Sequence, residues 1–522
     1  MIRCRTLARE LKRRGQVVIF ICRRQPGDLI ALLKHEFQVV ELPERKLLSC
    51  EGLEGRSLHN AWLGTSQEID ASDCLEALSA AGIQSFSWLV VDHYALDFQW
   101  ESEFIAGILR ASSPPKLLVI DDLADRIHNA DMILDQNFIV DTPDLRYEGL
   151  IPTNARQFLG PYFALLGPEY AQLHPLLPPR SELRRILVFF GGADPHNLTS
   201  RTLEALMEHP LSALSVDVVL GHQSEHWQEV EDLVSQRPLT NLYRPLPSLA
   251  GLIARADLAI GAGGTTTWER ACLGLPSFVV AVASNQVVIS QALDKAGHLR
   301  LLSDNPLISS HDIRKPLLSL LTAFKRQDSG RMLTDGWGAS RIAMAMLGVQ
   351  KSISLRLATE FDEAILLHWA NDYQVRAESF STDRISITDH HQWFHTGLVD
   401  PNRLMFIAIQ EDGCPIGQIR FDLQPLTANN FSRECIISIS LDRCARGKGL
   451  SVDLVRLGLE KMKHYWGSNV EVVAEVLQSN VASNSCFARV GFSLDEVYKK
   501  SVDSVSRSVC RWRWRSMELS QK

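Results

Sequence analysis

The sequence predicts an α/β protein with two Rossmann-like domains in tandem, followed by a smaller α/β domain. Three observations support this prediction. Short apolar strands alternate with helical segments over about the first 350 residues, and glycine turns follow several of those strands. Beyond residue 352 the strands look antiparallel. A chain of 522 residues is also too long for one core and long enough for about three domains.

The first predicted domain covers residues 1–170 and begins on a helix. Cys4, Leu7 and Leu11 share one face of a helix over residues 2–14, and Gly15 is its expected C-cap. The strands expected next are QVVIFI (16–21), FQVVEL (37–42), SWLVVDHY (87–94), KLLVIDDL (116–123) and MILDQ (132–136). Helical segments such as ASDCLEALSAAG separate them, which predicts a parallel, doubly wound sheet.

The second predicted domain covers residues 171–350 and starts after the proline-rich segment HPLLPPRSELRR. The expected strands are ILVFF (186–190), VDVVL (216–220), NLYRP (241–245), ADLAIGA (256–262) and SFVVAVA (277–283), and a helix over 338–348 closes the domain. Two such domains form a cleft at the carboxyl ends of their strands, where open α/β folds bind ligands.

The third predicted domain covers residues 353–515. Its expected strands are RLMFIAIQE (403–411), CPIGQIRFDL (414–423) and CIISISLD (435–442), followed by a basic glycine loop and a helix. This change to antiparallel-looking strands indicates a separate domain.

Composition limits the possible functions. No apolar run reaches the roughly 20 residues of a membrane span, and the N-terminal segment lacks the pattern of a signal peptide. The net charge of −7 and the dispersed Lys and Arg argue against a nucleic-acid surface. Ten cysteines without a C-x-x-C pair predict neither a metal site nor disulfides. We therefore expect a cytoplasmic protein, and the sequence leaves its oligomeric state open.

Two glycine turns carry the chemistry expected of the second domain. In the first, an apolar strand enters a glycine turn that opens a helix, a geometry that binds phosphate. Its residues are Gly261, Gly263, Gly264, Thr265, Thr266 and Glu269. We expect positive φ at the glycines and a ribose contact at Glu269. The second turn follows ILVFF and contains Gly192 and Asp194. The alternative is a pair of ordinary strand-to-helix connections.

Residues 1–350 resemble the UDP-sugar hydrolases of pseudaminic acid biosynthesis, a family with the glycosyltransferase-B arrangement of two Rossmann domains. The resemblance rests on the blocks RCRTLA (3–8), VVDHYALDFQWE (90–101), VIDDLADR (119–126), LLGPEY (165–170), VFFGGADPHN (188–197), ADLAIGAGGTTTWERACLGLP (256–276) and NQ (285–286). It implies hydrolysis by water without a metal.

This resemblance also implies roles for single residues. Gly261 to Glu269 would hold UDP, with Glu269 on the ribose, while Asn285 and Gln286 would face the sugar or its phosphates. Side chains expected to line the cleft from the first domain are Asp92, His93, Tyr94 and Asp97. Asp121, Asp122 and Asp125 are either further ligand residues or helix caps and arginine partners.

One departure from the family pattern concerns the general base. The family opens with G-x-G-H-x-x-R-C, and Arg3 and Cys4 match its last two positions. The histidine would therefore immediately precede Met1, together with an opening strand and glycine loop, and we expect the natural start to lie upstream. Within this sequence, Asp92, His93 and Tyr94 are the candidates for a replacement.

Residues 353–515 resemble the GCN5-related N-acetyltransferases (GNAT). Their acetyl-CoA loop, R/Q-x-x-G-x-G/A, corresponds here to Arg446, Gly447, Lys448, Gly449, Leu450 and Ser451. Backbone N–H groups of such a loop would bind the pyrophosphate of acetyl-CoA. Asn480, Ser483 and Phe487 match the family's closing motif, but Phe487 replaces the tyrosine that often protonates the leaving thiolate. Water, Ser485 or another group would then serve.

The two resemblances together predict consecutive reactions on one UDP-sugar. The C-terminal domain would acetylate a UDP-4-amino-4,6-dideoxy sugar, and the N-terminal pair would then hydrolyse the diacetamido product. Two alternatives stay open. One is a UDP-sugar glycosyltransferase, and the other is a nucleotide-sugar-binding protein with impaired catalysis.

Overall fold

The computed structural model describes residues 1–25, 27–45, 55–109, 114–139, 145–324, 329–349, 351–425, 433–502 and 505–515. The chain divides into two compact units, Met1–Ile342 and Ala343–Lys522. None of the described helices has the length and apolar character needed to cross a membrane.

Parallel strands build the N-terminal unit. They are β1 (Ile19–Arg23), β2 (Gln38–Leu42), β3 (Trp88–Val91), β4 (Lys116–Ile120), β5 (Met132–Asp135), β6 (Arg156–Leu159), β7 (Arg185–Phe189), β8 (Ser215–Val219), β9 (Thr240–Tyr243), β10 (Leu258–Ala262), β11 (Ser277–Val280) and β12 (Arg300–Ser303). β1 pairs with β2, β3 to β6 form a second sheet in sequence order, and the third sheet has the order β12-β11-β10-β7-β8-β9. This confirms the predicted parallel sheets.

Helices connect these strands. They are α1 (Ile2–Arg13), α2 (Ile30–Lys34), α3 (Gly55–Leu63), α4 (Gln67–Ala80), α5 (Phe98–Leu109), α6 (Pro168–Leu173), α7 (Leu198–Ala205), α8 (Trp227–Gln236), α9 (Ala250–Arg255), α10 (Thr266–Cys272), α11 (Ser284–Lys295), α12 (Ser310–Ala323) and α13 (Gly338–Leu347). All five strands expected in the first domain begin within three residues of their predicted starts, and β3, β4 and β5 end one to three residues early.

The six-stranded sheet is covered on both faces. Ile186 and Val188 of β7 pack into one core with the helices α7, α8 and α12. Leu187, between them, packs into the other core with α6, α9 and α10. Since successive side chains of a strand point to opposite faces, this alternation buries the whole strand. The apolar run that predicted β7 therefore reflects two cores.

α13, the last helix of the N-terminal unit, contacts the first half of that unit. The hydroxyl of Ser340 in α13 donates to Glu10 of α1 at 3.1 Å. Arg341, fully buried, donates to the carbonyl of Tyr162 at 3.2 Å and pairs with Asp335 at 2.5 Å. These contacts tie the predicted first and second domains into one unit.

A mixed sheet forms the C-terminal unit. Its strands are β13 (Ser354–Leu357), β14 (Arg403–Ile409), β15 (Pro415–Leu423), β16 (Arg433–Leu441), β17 (Val470–Leu477), β18 (Ser493–Val502) and β19 (Val505–Trp514), in the order β13-β14-β15-β16-β17-β19-β18. Its helices are α14 (Glu363–Ala370), α15 (Tyr373–Ala377), α16 (Ile387–Val399), α17 (Leu450–Trp466) and α18 (Val481–Val490). Neighbouring strands are antiparallel except β16 and β17.

Candidate functional site

The two predicted glycine turns lie side by side in the N-terminal unit. β7 and β10 are neighbours, and Gly261 near the end of β10 is in register with Phe189 at the end of β7. The strand order reverses between these two strands, because β8 lies beyond β7 and β11 beyond β10. Ligands of open α/β sheets bind at such a switch point. The turns that follow β7 and β10 therefore flank the expected binding crevice.

The glycines of the turn after β10 do not have the positive φ that we predicted. Positive φ occurs at Gly191 (98°), but Gly261, Gly263 and Gly264 lie outside that region. Close packing explains two of them instead. A Cβ on Gly261 would lie 2.3 Å from the Phe189 carbonyl oxygen, and one on Gly263 would lie 2.6 Å from the hydroxyl of Ser290. Gly261 thus lets the backbone of β7 approach, and Gly263 makes room for a side chain of α11.

Backbone donors are available at this turn. The helix α10 begins at Thr266, and the side chain of its N-cap, Thr265, makes no capping hydrogen bond. Within the described part of the chain, the N–H groups of Gly264, Thr265 and Thr266 have no acceptor. Unpaired N–H groups at a helix start attract anions.

A carboxyl group is buried one turn into α10. Burial raises the pKa of Glu269 to about 7, although a hydrogen bond with Tyr170 and the charge of Arg270 act in the opposite direction. Its Oε2 atom is buried and has no partner among the described residues. Arg270 is also buried and donates to the Ala262 carbonyl at 2.9 Å. Glu269 thus has one carboxyl oxygen free for a hydroxyl donor.

The other predicted residues of the second domain have different positions. Asp194 is buried, and its carboxylate accepts the N–H groups of Leu198 and Thr199, both at 2.9 Å. It therefore caps α7 beneath the turn that contains Gly192. The Gln286 amide lies beside Gly264, with its nitrogen 3.9 Å from a Cβ built there. Asn285 is exposed in the first turn of α11.

An ion-pair network occupies the carboxyl ends of β3 and β4. Arg3 of α1 pairs with Asp92 and with Asp122, each at 2.7 Å, and the hydroxyl of Tyr94 donates to Asp122 at 2.9 Å. Cys4 donates to Asp92 at 2.9 Å. Burial by itself would raise the pKa of Asp92, but the Arg3 guanidinium holds it well below its usual range. An ionised, paired Asp92 is a poor general base.

His93 is set up as a hydrogen-bond donor. Its Nδ1 accepts the N–H of Ala95 at 3.1 Å, so the proton of the neutral ring is on Nε2. Burial lowers the pKa of His93, which keeps the ring neutral. The acidic residues near it have structural contacts: Asp97 accepts the N–H of Gln99, Asp121 accepts those of Leu123 and Ala124, and Asp125 pairs with Arg126.

In the C-terminal unit, the predicted acetyl-CoA loop has the backbone of an anion site. Gly447 and Gly449 have φ of 71° and 82°, and a Cβ at either would meet nothing within 4 Å. Gly449 is the N-cap of α17, and buried Leu450 anchors the first turn. In the described residues, the N–H groups of 447–450 have no acceptor. Four consecutive donors at the start of a long helix match a pyrophosphate.

The strands beside this loop separate. β16 and β17 pair from Arg433 with Val470 to Ile436 with Val473, and their pairing stops there. Beyond that point β16 continues to Leu441 beside β15 only, and β17 continues beside β19. One edge of β16 is therefore open where the strand leads towards the glycine loop.

Arg446 of the loop is paired within the protein, which argues against a contact with phosphate. Arg446 pairs with Asp372 at 2.6 Å and donates to Gln374 at 2.8 Å and to the Leu441 carbonyl at 2.9 Å. Asp372 is also the N-cap of α15. Arg446 thus fixes the loop against α15. Lys448 is exposed in the same loop, and Ser451 lies in the first turn of α17.

The closing motif is built around a helix cap. The Asn480 side chain accepts the N–H of Ser483 at 3.0 Å and caps α18. Phe487 is buried and packs edge-on against Phe492, with ring centroids 5.0 Å apart. No proton donor is available from this aromatic side chain. A contact that the sequence did not suggest joins Ser451 to Cys486 of α18.

Comparison with known proteins agrees with this geometry. Residues 364–492 match the model of the acetyltransferase (GNAT) family. The C-terminal unit carries a GNAT domain. This confirms the predicted GNAT fold at the C-terminal end and acetyl-CoA as the co-substrate that the family uses, while the bounds 353–515 stay a prediction.

Two relatives extend beyond the GNAT domain. The chain is 26% identical over 204 residues to the spore coat polysaccharide biosynthesis protein SpsG of Bacillus subtilis, which covers 38% of this chain and 60% of that protein. It is 24% identical over 343 residues to the uncharacterized protein MJ1062 of Methanocaldococcus jannaschii, covering 64% of this chain and 68% of that protein. Both alignments are longer than the C-terminal unit, so they reach into the N-terminal unit. The chain is thus related to a protein of polysaccharide biosynthesis, of whose length it spans about three fifths.

Solved acetyltransferases also resemble about a third of the chain. They include a spermidine N-acetyltransferase from Vibrio cholerae in complex with CoA and spermine, 14% identical, with a TM-score of 0.28 over 32% of this chain and 96% of that one. Another is yncA from Salmonella typhimurium with acetyl-CoA, 15% identical, with a TM-score of 0.27 over 31% and 93%.

Proposed function

We propose that the C-terminal domain transfers the acetyl group of acetyl-CoA to the amino group of a UDP-linked 4-amino-4,6-dideoxy sugar. The N-terminal unit, in this proposal, binds the UDP portion of such sugars and hydrolyses the diacetamido product. The observation that carries the acetyl transfer is the loop Arg446–Ser451. Its unpaired N–H groups stand at the start of α17 beside the open edge of β16.

For acetyl transfer, the protein mainly has to position the two substrates and allow a proton to move between them. The amine nitrogen forms a bond to the thioester carbonyl carbon, the carbon–sulfur bond breaks, and a proton passes from nitrogen to sulfur overall. The loop N–H groups hold the pyrophosphate, and the open edge of β16 offers backbone groups to the extended arm of acetyl-CoA. Because Phe487 carries no acidic proton, solvent or the acceptor itself supplies the proton to the thiolate.

UDP binding rests on the switch point of the six-stranded sheet. The N–H groups of Gly264, Thr265 and Thr266 would donate hydrogen bonds to the diphosphate, while the free oxygen of Glu269 would accept one from a ribose hydroxyl. Gly261 permits the close approach of the β7 backbone, and Gln286 and Asn285 would face the sugar or its phosphates. The relation to a polysaccharide biosynthesis protein supports a sugar nucleotide as the ligand.

Hydrolysis at the anomeric carbon also needs a base to activate water. Asp92 is paired with Arg3, and the Nδ1 lone pair of His93 is occupied by the Ala95 N–H. Neither side chain is therefore free to act as this base in the described structure.

The first experiment measures acetyl transfer by the full chain. We expect free CoA to appear when acetyl-CoA is mixed with a UDP-4-amino-4,6-dideoxy sugar, and not with UDP-N-acetylglucosamine, whose nitrogen is already acylated. Gly449→Ala serves as the loop variant and Gly467→Ala, at the other end of α17, as the matched control, since both glycines have a φ of 82°. Equal CoA release from both sugars would contradict the proposed acceptor.

The second experiment measures UDP release from the diacetamido sugar by this chain and by one extended upstream. Release by either chain is the result that supports the hydrolase. Release by neither would contradict the hydrolase, and transfer of the sugar to an added acceptor faster than its release would favour a glycosyltransferase. UDP binding by equilibrium dialysis then separates a binding protein from an inert one.

A further inference from the structure

Three side chains of the C-terminal unit converge at a place that neither proposed reaction uses. Glu363 is the first residue of α14, and His391 and His395 lie four residues apart in α16. Because four residues are about one helical turn, the two imidazoles share one face of α16. Their ring centroids are 4.3 Å apart. The fold thus places two nitrogen ligands over one carboxylate.

The distances fit a single cation. Nδ1 of His391 is 2.8 Å from one carboxylate oxygen of Glu363, and Nε2 of His395 is 3.1 Å from the other. One ligand atom from each residue lies within 4.8 Å of the other two. A metal with bonds of about 2.1 Å holds neighbouring ligand atoms about 3 to 3.5 Å apart. Small rotations of the two rings therefore suffice to place all three atoms around one ion.

The backbone that carries these ligands is fixed by packing. His390, next to His391, is buried, and its Nε2 lies 3.1 Å from the Glu363 carbonyl oxygen. Phe394, next to His395, is fully buried. These contacts hold α14 and α16 in register without using the three ligand side chains. The ligand side chains themselves are accessible, since 63% of the His391 side chain and 40% of the His395 side chain are exposed.

We propose that Glu363, His391 and His395 form a binding site for a divalent transition metal, with Zn²⁺ as the first choice. Imidazole and carboxylate donors suit Zn²⁺, whereas Mg²⁺ and Ca²⁺ prefer oxygen ligands alone. Solvent completes the coordination, because the cluster is open on one side. The ion joins the start of α14 to the middle of α16.

The proposed ion acts on the segment between these helices. Residues 371–386 connect α14 to α16 and contain α15, whose N-cap Asp372 pairs with Arg446 of the glycine loop. The ion joins the two helices that flank this segment, and an ion that binds the folded state raises the free energy of unfolding. The proposal stands independently of the identity of the acetyl acceptor.

The test is a titration of the metal-free full chain with Zn²⁺ by isothermal calorimetry. We expect one site, a higher unfolding temperature on binding, and an affinity more than about tenfold weaker in His391→Ala and His395→Ala. His464→Ala is the matched control, because His464 is an exposed histidine of α17 and its loss leaves the site intact. Glu363→Gln keeps the side-chain shape and should weaken binding as well.

Two results would overturn the proposal. One is the absence of binding in the unaltered chain, in which case the His–Glu contacts are ion pairs or hydrogen bonds alone. The other is undiminished affinity in the His391→Ala/His395→Ala double variant. Co²⁺ provides a second measurement, since a strong thiolate-to-metal absorption band would assign the ion to cysteine and reject this site.

Discussion

The glycine turn before α10 and the glycine loop before α17 both open a helix, and they use glycine for opposite reasons. At the turn before α10, the glycines avoid a collision, because a Cβ on Gly261 would lie 2.3 Å from the Phe189 carbonyl oxygen. At the loop before α17, the space around Gly447 and Gly449 is empty and their φ values are 71° and 82°. The first turn needs the absence of a side chain, and the second needs a left-handed backbone.

This difference follows from where each turn lies. The first ends a central strand, so neighbouring strands and helices press against it from both sides. The second lies at the surface, where a ligand can approach the backbone donors from solvent. In the sequence, both turns are recognised only by glycines that precede a helix. Their responses to substitution should therefore differ, and two glycine substitutions test this. Two further measurements test the side chains beside each turn.

The largest effect is expected from Gly261→Ala. The new methyl group would collide with the Phe189 backbone, which cannot move without breaking the β7–β10 pairing, so we expect a loss of about 3 kcal/mol or more in the stability of the N-terminal unit. Thermal and urea unfolding monitor it. Gly251→Ala in α9 is the control, where a Cβ meets nothing within 4 Å and helix propensity favours alanine. Equal stability of the two variants would refute the close-approach explanation.

Gly449→Ala should act on ligand binding with a smaller cost in stability. A left-handed conformation costs an alanine about 1–2 kcal/mol. If the loop relaxes to avoid this strain, the N–H groups lose their alignment, and the KM for acetyl-CoA rises about tenfold. Gly449→Asn should recover much of the affinity, because asparagine tolerates this conformation. An unchanged KM in the alanine variant would show that the loop does not bind acetyl-CoA.

The buried carboxyl of the first turn should make stability depend on pH. The folded-state pKa of Glu269 is about 7, above the unfolded value of about 4.5. The folded state therefore binds more protons between these values, and the unliganded N-terminal unit should lose stability as pH rises from about 4.5 to 7. Unfolding temperatures of the wild type and Glu269→Gln across this range measure it. If Glu269→Gln has the same pH slope as the wild type, another group causes the pH dependence of stability.

The smallest effect is expected from Phe487→Tyr. The phenol would be buried against Phe492 without a partner, so the variant should lose about 1 kcal/mol of stability. Its kcat should stay close to the wild-type value. A rise of about 100-fold, as a newly supplied general acid gives, would show that the phenol reaches the thiolate after all.

Local patterns predicted much of the fold. Apolar runs placed β3, β4 and β7 within three residues of their observed starts, because a buried parallel strand is apolar on both faces. β6 and β12 were missed, since RQFL and RLLS carry polar residues at the edges of their sheets. The final hairpin of β18 and β19 was also missed. Its charged side chains pair across strands, as Arg513 does with Glu471, and this pairing has no local signal.

The sequence by itself determined the alternation of strands and helices, the two glycine turns, the cap at Asn480 and the GNAT motif, because each depends on residues close in the chain. Only the tertiary structure decided what these residues do. It set Tyr170 against Glu269, Arg3 between Asp92 and Asp122, and His391 and His395 over Glu363. Burial, ion pairing and close approach depend on segments that are far apart in the chain, so the spacing of residues along the chain cannot predict them.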